Sequence, residues 1–417
     1  MPDLIARGNV ARWAILLVLS SSLAATTEAQ QIQPAAPGTP LTLEAAIERA
    51  LSANPSIAAA RLRRPVNLAG VAVASERPNP EIHAEAERET PKQDVGIAVP
   101  IELGGKRARR IAVAEATLQL GEAELSQTII DIRAQVRRAY YARLISDQRL
   151  TILDEIQQFA SRARDAAQAR FDVGGAPRLE VLQGQLVLAQ AENEATAARA
   201  SARAATIQLN ALLGFPPDNV ITLATALDAS TPIGAEALSR AQAANAELVV
   251  LDRQIAEQTA KLALAQALRT PDITPDVTFT RDSKPDFMYG WRLAAAVTVP
   301  VFASHRAGVQ LEQATLLQLN AQRAALLTRI NGEVLSASQT AEAQRLAYLR
   351  YQNEILPLAQ QVETMAEDSY RLGQTGIAAL LQALQASRDI RLRSLQTASD
   401  FQDALGQLER ALGAPLP

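Results

Sequence analysis

The sequence contains no cysteine, and its 417 residues include only two histidines, His83 and His305. The absence of thiols excludes a disulfide scaffold, a zinc ribbon, an iron–sulfur centre and a cysteine nucleophile. Neither histidine has a second metal ligand nearby in sequence. We find no nucleotide-binding loop and no catalytic triad. The sequence therefore predicts no catalytic residue, no cofactor and no resident metal, and so no enzyme.

Aromatic residues and excess charge are also scarce. The 41 basic and 44 acidic side chains leave a net charge of −3, which argues against a nucleic-acid-binding protein. Hydrophobic types make up 48% of the chain but aromatics only 4%, and much of the remainder is alanine. Because alanine is the best helix former, this composition predicts long, closely packed helices.

The N-terminus has the pattern of a secretory signal. Arg7 and Arg12 precede a short apolar run that begins at Trp13, and Ala29 ends a cleavage sequence of small residues. The alternative is a membrane anchor, but the run is shorter than the ~20 residues that a spanning helix needs. We predict a signal peptide over 1–29 and a loose mature N-terminus over 30–40.

The mature chain is an internal repeat with a period of about 200 residues. Val99–Ile101 recurs as Val299–Val301, and Leu212–Gly214 recurs as Ala411–Gly413, in the same order. The predicted segments are a first repeat over 41–214, a linker over 215–235 and a second repeat over 236–413.

Each repeat contains a very long helix. The run from Lys106 to Phe171 has no proline, and its apolar residues recur at steps of seven, four and three, as in a coiled coil. Such a helix would extend for about 100 Å. The run from Arg306 to Tyr370 predicts its counterpart. A glycine-bearing turn follows each run, so we predict helical hairpins at about 105–213 and 303–412.

Each repeat also contains two strands, at about 81–101 and about 275–300. Five of the 15 aromatic residues fall between Phe279 and Phe302, which is typical of a membrane-interface belt. The alternative is a small soluble sheet that caps a helical stalk. Two-stranded hairpins are marginal alone, so the hairpins must pair with each other and with other subunits. Four strands cannot enclose a lumen, but three chains that supply twelve strands could.

Together these features resemble the TolC-like outer-membrane efflux ducts. The resemblance rests on the duplicated helix–strand–helix plan, on Leu41–Ile47 followed by Asn54-Pro55, and on the paired Arg/Tyr-x-x-Gly turns. Val99–Arg107 resembles the Czc-type (cobalt–zinc–cadmium) branch of the family. The similar part covers about residues 41–413.

The resemblance implies a mainly α fold with a small β part. It implies a homotrimer with a long periplasmic α-helical barrel and a 12-stranded outer-membrane β-barrel, four strands per chain. Such a protein lies in the outer membrane of a Gram-negative bacterium, in contact with lipid. It passively conducts substrates, here divalent heavy-metal cations, from an inner-membrane RND pump and a periplasmic adaptor. Two alternatives remain: a soluble exported coiled-coil scaffold or adaptor, and a duct for drugs or other organic compounds.

We predict three groups of functional residues, the first two from the resemblance and the third from the aromatic cluster and from the cations that follow a strand. The adaptor-docking tip would contain Arg170, Phe171, Gly174, Gly175, Tyr370, Arg371 and Gly373. The periplasmic gate would contain Glu180, Gln183 and Gln382. The membrane interface would contain Lys106, Arg107, Arg109, Arg110, Phe287, Tyr289 and Trp291. Simpler interpretations are ordinary helix caps for the glycines, a solvated helix residue for Glu180 and a solvated first turn for the cations.

Overall fold

A computed structural model describes residues 40–89, 91–224, 227, 237–283 and 287–413. The predicted signal peptide, all but one residue of the loose N-terminus and most of the predicted linker after residue 224 lie outside the described residues. The elements described below all belong to one unit that begins at Pro40.

The described chain contains ten α-helices and four strands. The helices are α1 (Leu43–Ala53), α2 (Pro55–Arg61), α3 (Arg63–Ser75), α4 (Lys106–Asp172), α5 (Arg178–Leu213), α6 (Ala237–Ala244), α7 (Ala246–Ala267), α8 (Arg306–Arg350), α9 (Leu356–Arg371) and α10 (Ile377–Leu412). The strands are β1 (Glu81–Ala86), β2 (Gln93–Ala98), β3 (Asp272–Ser283) and β4 (Phe287–Thr298).

The longest element is α4, with 67 residues, which corresponds to a length of about 100 Å. Its predicted apolar seam becomes more buried toward the middle of the helix. Ile111 and Leu118 are half-buried, whereas Val136 and Tyr140 are fully buried. The helix therefore packs more closely from its centre onward, first against α1 and α5 around Tyr140 and then against α5 and α10 around Phe159.

Apolar side chains are buried in separate clusters along the helices. One cluster surrounds Tyr140, where α1 and α5 pack on α4. Another surrounds Leu408, where α10 packs on α6 and α8. A third surrounds Phe159 and Leu384, close to the helix turns. Among the helices that the structure describes, none is both long and apolar enough to cross a membrane.

The second long run is not one regular helix. A π-helical turn over Tyr351–Ile355 separates α8 from α9. Pro357 explains the irregularity, because it lacks an N–H donor and its ring excludes the carbonyl four residues earlier. The wider π turn accommodates this missing bond. The expectation of a single helix over Arg306–Tyr370 is therefore wrong.

Two asparagines make matching corners in the two halves of the chain. The Asn54 side chain caps α2 through Oδ1, and its Nδ2 donates to the Leu212 carbonyl at 3.1 Å. Asn245 caps α7 in the same way, and its Nδ2 donates to the Ala411 carbonyl at 2.8 Å. Both asparagines are 5% exposed. Because buried amides need such partners, each asparagine fixes a short helix to the end of a long one.

The four strands form one antiparallel sheet in the order β1-β2-β3-β4. The two hairpins join through β2 and β3, with Gly96 opposite Thr278. This confirms that the two hairpins pair with each other. Within the described part of the chain, the outer edges of β1 and β4 have no partner strand. Such edges present unpaired N–H and C=O groups to any strand that can approach.

The glycines that end α5 and α10 give a test of the repeated corner. Both have a φ of 68°. A Cβ added to Gly413 would lie 2.2 Å from the carbonyl oxygen of Ala244, which is a severe clash. A Cβ added to Gly214 would lie 3.1 Å from the carbonyl oxygen of Ala53, which is a milder one. The left-handed conformation should lower the free energy of unfolding of either alanine variant by about 1–2 kcal/mol. Gly413→Ala should lose a further ~1–3 kcal/mol through overpacking.

Denaturant unfolding of the purified variants checks that Gly413→Ala loses more stability than Gly214→Ala. Gly105→Ala is the control for backbone strain alone, because its φ is 72° and an added Cβ would meet no atom within 4 Å. Equal losses of stability in the three variants would contradict the role of the corner.

Candidate functional site

The sheet has one apolar face and one polar face. Residues directly opposite each other on neighbouring strands point to the same side of a sheet. The pairing therefore defines one face that carries Ile82, Val95, Ile97, Val277, Phe279, Tyr289, Trp291 and Leu293. The first hairpin has no aromatic residue, but it extends this face with aliphatic side chains.

The apolar face is open to its surroundings in the single chain. Trp291 and Leu293 are 75% and 79% exposed. The Phe279 ring stacks on Tyr289 and meets Trp291 edge-on, with ring centroids 5.7 and 5.2 Å apart. Exposed apolar patches mark contact with lipid or with another protein. Phe287 is the first residue of β4, and its side chain lies outside the described part of the structure.

The polar face brings together residues that are far apart in sequence. His83 Nε2 on β1 lies 3.6 Å from Asp276 Oδ2 on β3. Arg292 Nη2 on β4 donates to Asp94 Oδ2 on β2 at 3.3 Å. His83 is isolated in the sequence, because the partner that the fold supplies is almost 200 residues away. Only the pairing of β2 with β3 could have identified it.

Four cations occupy the first turns of α4: Lys106, Arg107, Arg109 and Arg110. Lys106 Nζ donates to Asp272 Oδ2 at 2.7 Å, and Arg110 Nη1 pairs with Glu102 Oε1 at 2.5 Å. Arg107 Nε donates to the carbonyl of Ser75 at 2.6 Å. These bonds hold three cations at a helix N-terminus, which would otherwise oppose them. Among the described residues, Arg109 is the exposed member of the four and has no ion pair or hydrogen bond from its side chain.

Each helical hairpin turns through a glycine in the left-handed region. Gly174 has a φ of 75° and Gly373 a φ of 72°. Gly175 N donates to the Arg170 carbonyl at 2.7 Å, and the second turn repeats this bond at 2.9 Å, as in a Schellman cap. A Cβ at Gly174 or Gly373 would meet no atom within 4 Å. The backbone conformation requires glycine at these two positions, whereas the available space does not.

The two turns lie close enough for their side chains to interact. Tyr370 is 3% exposed, and its hydroxyl donates to Glu180 Oε2 at 3.4 Å. The Arg170 guanidinium carbon lies 4.9 Å from the centre of the Tyr370 ring. Phe171 and Arg371, in contrast, point outward and are exposed.

The residues expected to form the gate have different surroundings. Glu180 is half-buried and bonded to Tyr370, so it is more than a solvated helix residue. Gln183 is half-buried and Gln382 is exposed. Among the hydrogen bonds of the described residues, none joins either glutamine to Glu180.

A groove lies beside the Arg170–Tyr370 contact and was not expected from the sequence. Its volume is about 340 Å³, and its lining includes Phe159, Arg162, Ala163, Tyr370 and Leu380. The Arg162 guanidinium carbon lies 5.4 Å from the centre of the Phe159 ring. The signal available in the sequence was the spacing of 159, 162, 163, 166 and 170, which places these residues on one face of α4.

Comparison with known proteins confirms the predicted resemblance. Residues 46–215 match the family model described as "Outer membrane efflux protein". The chain is 28% identical over 380 residues to the cobalt-zinc-cadmium resistance protein CzcC of Cupriavidus metallidurans, covering 90% of each chain.

Solved outer-membrane proteins have the same fold. The outer membrane protein VceC of Vibrio cholerae aligns with a TM-score of 0.74 at 17% identity, over 90% of this chain and 97% of that one. The open-state outer membrane channel MtrE of Neisseria gonorrhoeae aligns with a TM-score of 0.74 at 16% identity, over 90% and 89%. These likenesses establish a mainly helical, TolC-like channel fold with a small sheet.

The buried phenol at the turns gives a pH-dependent prediction. Burial raises the pKa of Tyr370, the Glu180 carboxylate raises it further, and the Arg170 guanidinium opposes both. The folded state therefore holds the phenolic proton above the ordinary pKa of about 10. The stability from this contact is present below pH ~10 and is lost as pH rises through the raised pKa.

We expect Glu180→Gln to lower the pH at which Tyr370 ionises, because it removes the negative charge beside the phenol. Ultraviolet difference titration of phenolate measures this midpoint, and Tyr370→Phe identifies the signal of this tyrosine. A midpoint that stays constant or rises in Glu180→Gln would contradict the assigned contact.

Proposed function

We propose that this chain, whose residues 46–215 form an outer membrane efflux protein domain, is the outer-membrane duct of a tripartite efflux system. The observation that carries the proposal is the two-faced sheet with two open edges, attached to a helical part whose longest helix, α4, extends for about 100 Å. The matched family and relatives are named as efflux, resistance and channel proteins. The duct conducts passively, without a catalytic step or a cofactor.

Three copies complete the membrane part. The open edges of β1 and β4 pair between neighbouring chains, so three four-stranded sheets close into a 12-stranded barrel. The apolar face with Tyr289 and Trp291 meets lipid, as in outer-membrane barrels. The polar face then lines the passage. Arg109 is the cation best placed for lipid headgroups, because protein groups hold Lys106, Arg107 and Arg110.

The segments predicted from the sequence fit this arrangement. Residues 1–29 direct export from the cytoplasm of a Gram-negative bacterium. The repeats over 41–214 and 236–413 each supply one strand hairpin and one helical hairpin, and the linker over 215–235 joins them. Three copies of the two helical hairpins form the periplasmic tunnel.

The two helix turns form the end that receives a periplasmic adaptor, which connects the duct to an inner-membrane RND pump. Phe171, Gly174, Gly175, Arg371 and Gly373 are exposed at this end and are free to contact a partner. Arg170 and Tyr370 support the turns from inside. Glu180, held by Tyr370, is the strongest gate candidate, whereas Gln183 and Gln382 have only their positions to support them.

Divalent heavy-metal cations are the proposed cargo. The support is the 28% identity over 90% of the chain to a protein named for cobalt, zinc and cadmium resistance. A duct for drugs or other organic compounds and a soluble exported scaffold are the competing functions.

Deletion of the gene in its host distinguishes these functions. We expect increased sensitivity to cobalt, zinc and cadmium, with unchanged sensitivity to dyes and antibiotics, and we expect the protein to be extracted from outer membranes as trimers. Drug hypersensitivity with normal metal tolerance would reject the cargo but keep the duct. Recovery of a soluble periplasmic monomer would reject the duct.

Complementation of the deletion tests the turns. Gly373→Ala should restore trimers but not metal tolerance, because the strained turn displaces the docking surface. Gly105→Ala is the matched control, since Gly105 and Gly373 share a φ of 72° and open space around the missing Cβ. The control should restore tolerance, and full function of Gly373→Ala would refute the docking role of this turn.

A further inference from the structure

We propose that His83 and Asp276 form a weak binding pair for transition-metal cations on the passage side of the sheet. Cargo ions would contact this pair as they leave the duct. The inference rests on the proposed function, because it requires the polar face to line the passage. It adds a cation-binding site that neither the family match nor the relatives assign.

The two side chains are placed as two ligands of one ion. His83 Nε2 and Asp276 Oδ2 lie 3.6 Å apart. Zinc binds nitrogen and carboxylate oxygen at about 2.0–2.2 Å in tetrahedral geometry, which separates two such ligands by roughly 3.3–3.6 Å. The observed separation needs an adjustment of only a few tenths of an ångström.

Thr278 orients the carboxylate for this role. Its hydroxyl donates to Asp276 Oδ1 at 2.6 Å. The Thr278 hydroxyl oxygen also lies 3.4 Å from His83 Nε2. This bond occupies Oδ1 and leaves Oδ2 facing the imidazole. Hydrogen bonds of this kind fix the geometry of metal-binding carboxylates. The side chains of His83 and Asp276 are 33% and 19% exposed, so ions in the passage can reach them.

Gly96 provides the space for the imidazole. It lies on β2 between His83 and Thr278 in one row across the sheet. A Cβ at Gly96 would lie 2.3 Å from both Cε1 and Nε2 of His83. The ring therefore lies over the backbone of β2, and glycine at this position allows His83 to reach the third strand.

The charges around the pair favour cations. Glu81, Glu85 and Asp94 point to the same side of the sheet as Asp276, and Arg292 is the cation beside them. Asp94 is 7% exposed, and its Oδ1 has no hydrogen-bond partner. A face with more carboxylates than cations raises the local concentration of positive ions.

Weak binding is what a duct needs. Within the described residues, no group of three or more histidine, aspartate or glutamate side chains is arranged to hold a metal ion. The pair therefore offers two ligands, and water must complete the coordination. Conduction requires ions to bind well enough to enter and weakly enough to leave. Two ligands per chain allow an ion both to enter and to leave, whereas a site in which the protein supplies every ligand would retain it.

Current through the purified full-length protein in planar lipid bilayers tests the pair. We expect zinc chloride to reduce the wild-type current, and magnesium to reduce it far less, because magnesium prefers oxygen ligands and retains its water. His83→Gln and Asp276→Asn should each raise the half-blocking zinc concentration by at least about tenfold, the loss that even an outer-shell partner produces. Each current is normalised to the zinc-free current of the same variant.

His305→Asn is the matched control, because it removes the other histidine of the chain. His305 lies just before α8 with a φ of 54°, a conformation that asparagine tolerates. This variant should be blocked by zinc like the wild type. Equal zinc sensitivity in the wild type, His83→Gln and Asp276→Asn, or equal block by magnesium, would overturn the pair and leave the duct intact. A wild-type protein that carries no current before zinc is added would overturn the duct, and the pair with it.

Discussion

The open edges of the four-stranded sheet are the constraint on which this structure depends. A strand edge that stays unpaired attracts other strands, and in lipid it would leave backbone groups without hydrogen bonds. The described chain offers no partner for the edges of β1 and β4. The apolar face, with Trp291 75% exposed, also lacks a cover. The proposed pairing with further copies and contact with lipid would resolve both problems together, and the long helices would then surround a continuous passage.

The helices can be this long because they do not depend on one central core. Their apolar seams are buried in separate clusters, and small residues such as Ala195 and Ala198 allow close approach. The corners made by Asn54 and Asn245 connect the short helices to the long ones with the same bonds in each half. The structure is therefore held by local contacts repeated along its length. In the proposed duct, this arrangement leaves the interior free for transport.

Much of the fold could be predicted from the sequence because its signals are local. The proline-free run after Lys106 gave the bounds of α4 to within one residue, and the alternation after Glu81 gave β1. The π turn before Pro357 was missed, although the proline itself was visible. Of the functional features, the glycine turns could be recognised from sequence. The His83–Asp276 contact could not, because it depends on the register between strands almost 200 residues apart.

Disulfide trapping tests whether β1 of one chain pairs with β4 of another, and the chain is suited to it because it has no cysteine. Ala84→Cys on β1 is combined in turn with Ala294→Cys, Ala295→Cys and Ala296→Cys on β4, and membranes are oxidised before electrophoresis. Within one chain β1 and β4 are three strand spacings apart, about 14 Å, which is beyond disulfide reach. We expect at least one pair to give covalent species that end at the trimer. Monomers in every combination, or polymers that extend beyond three chains, would contradict it.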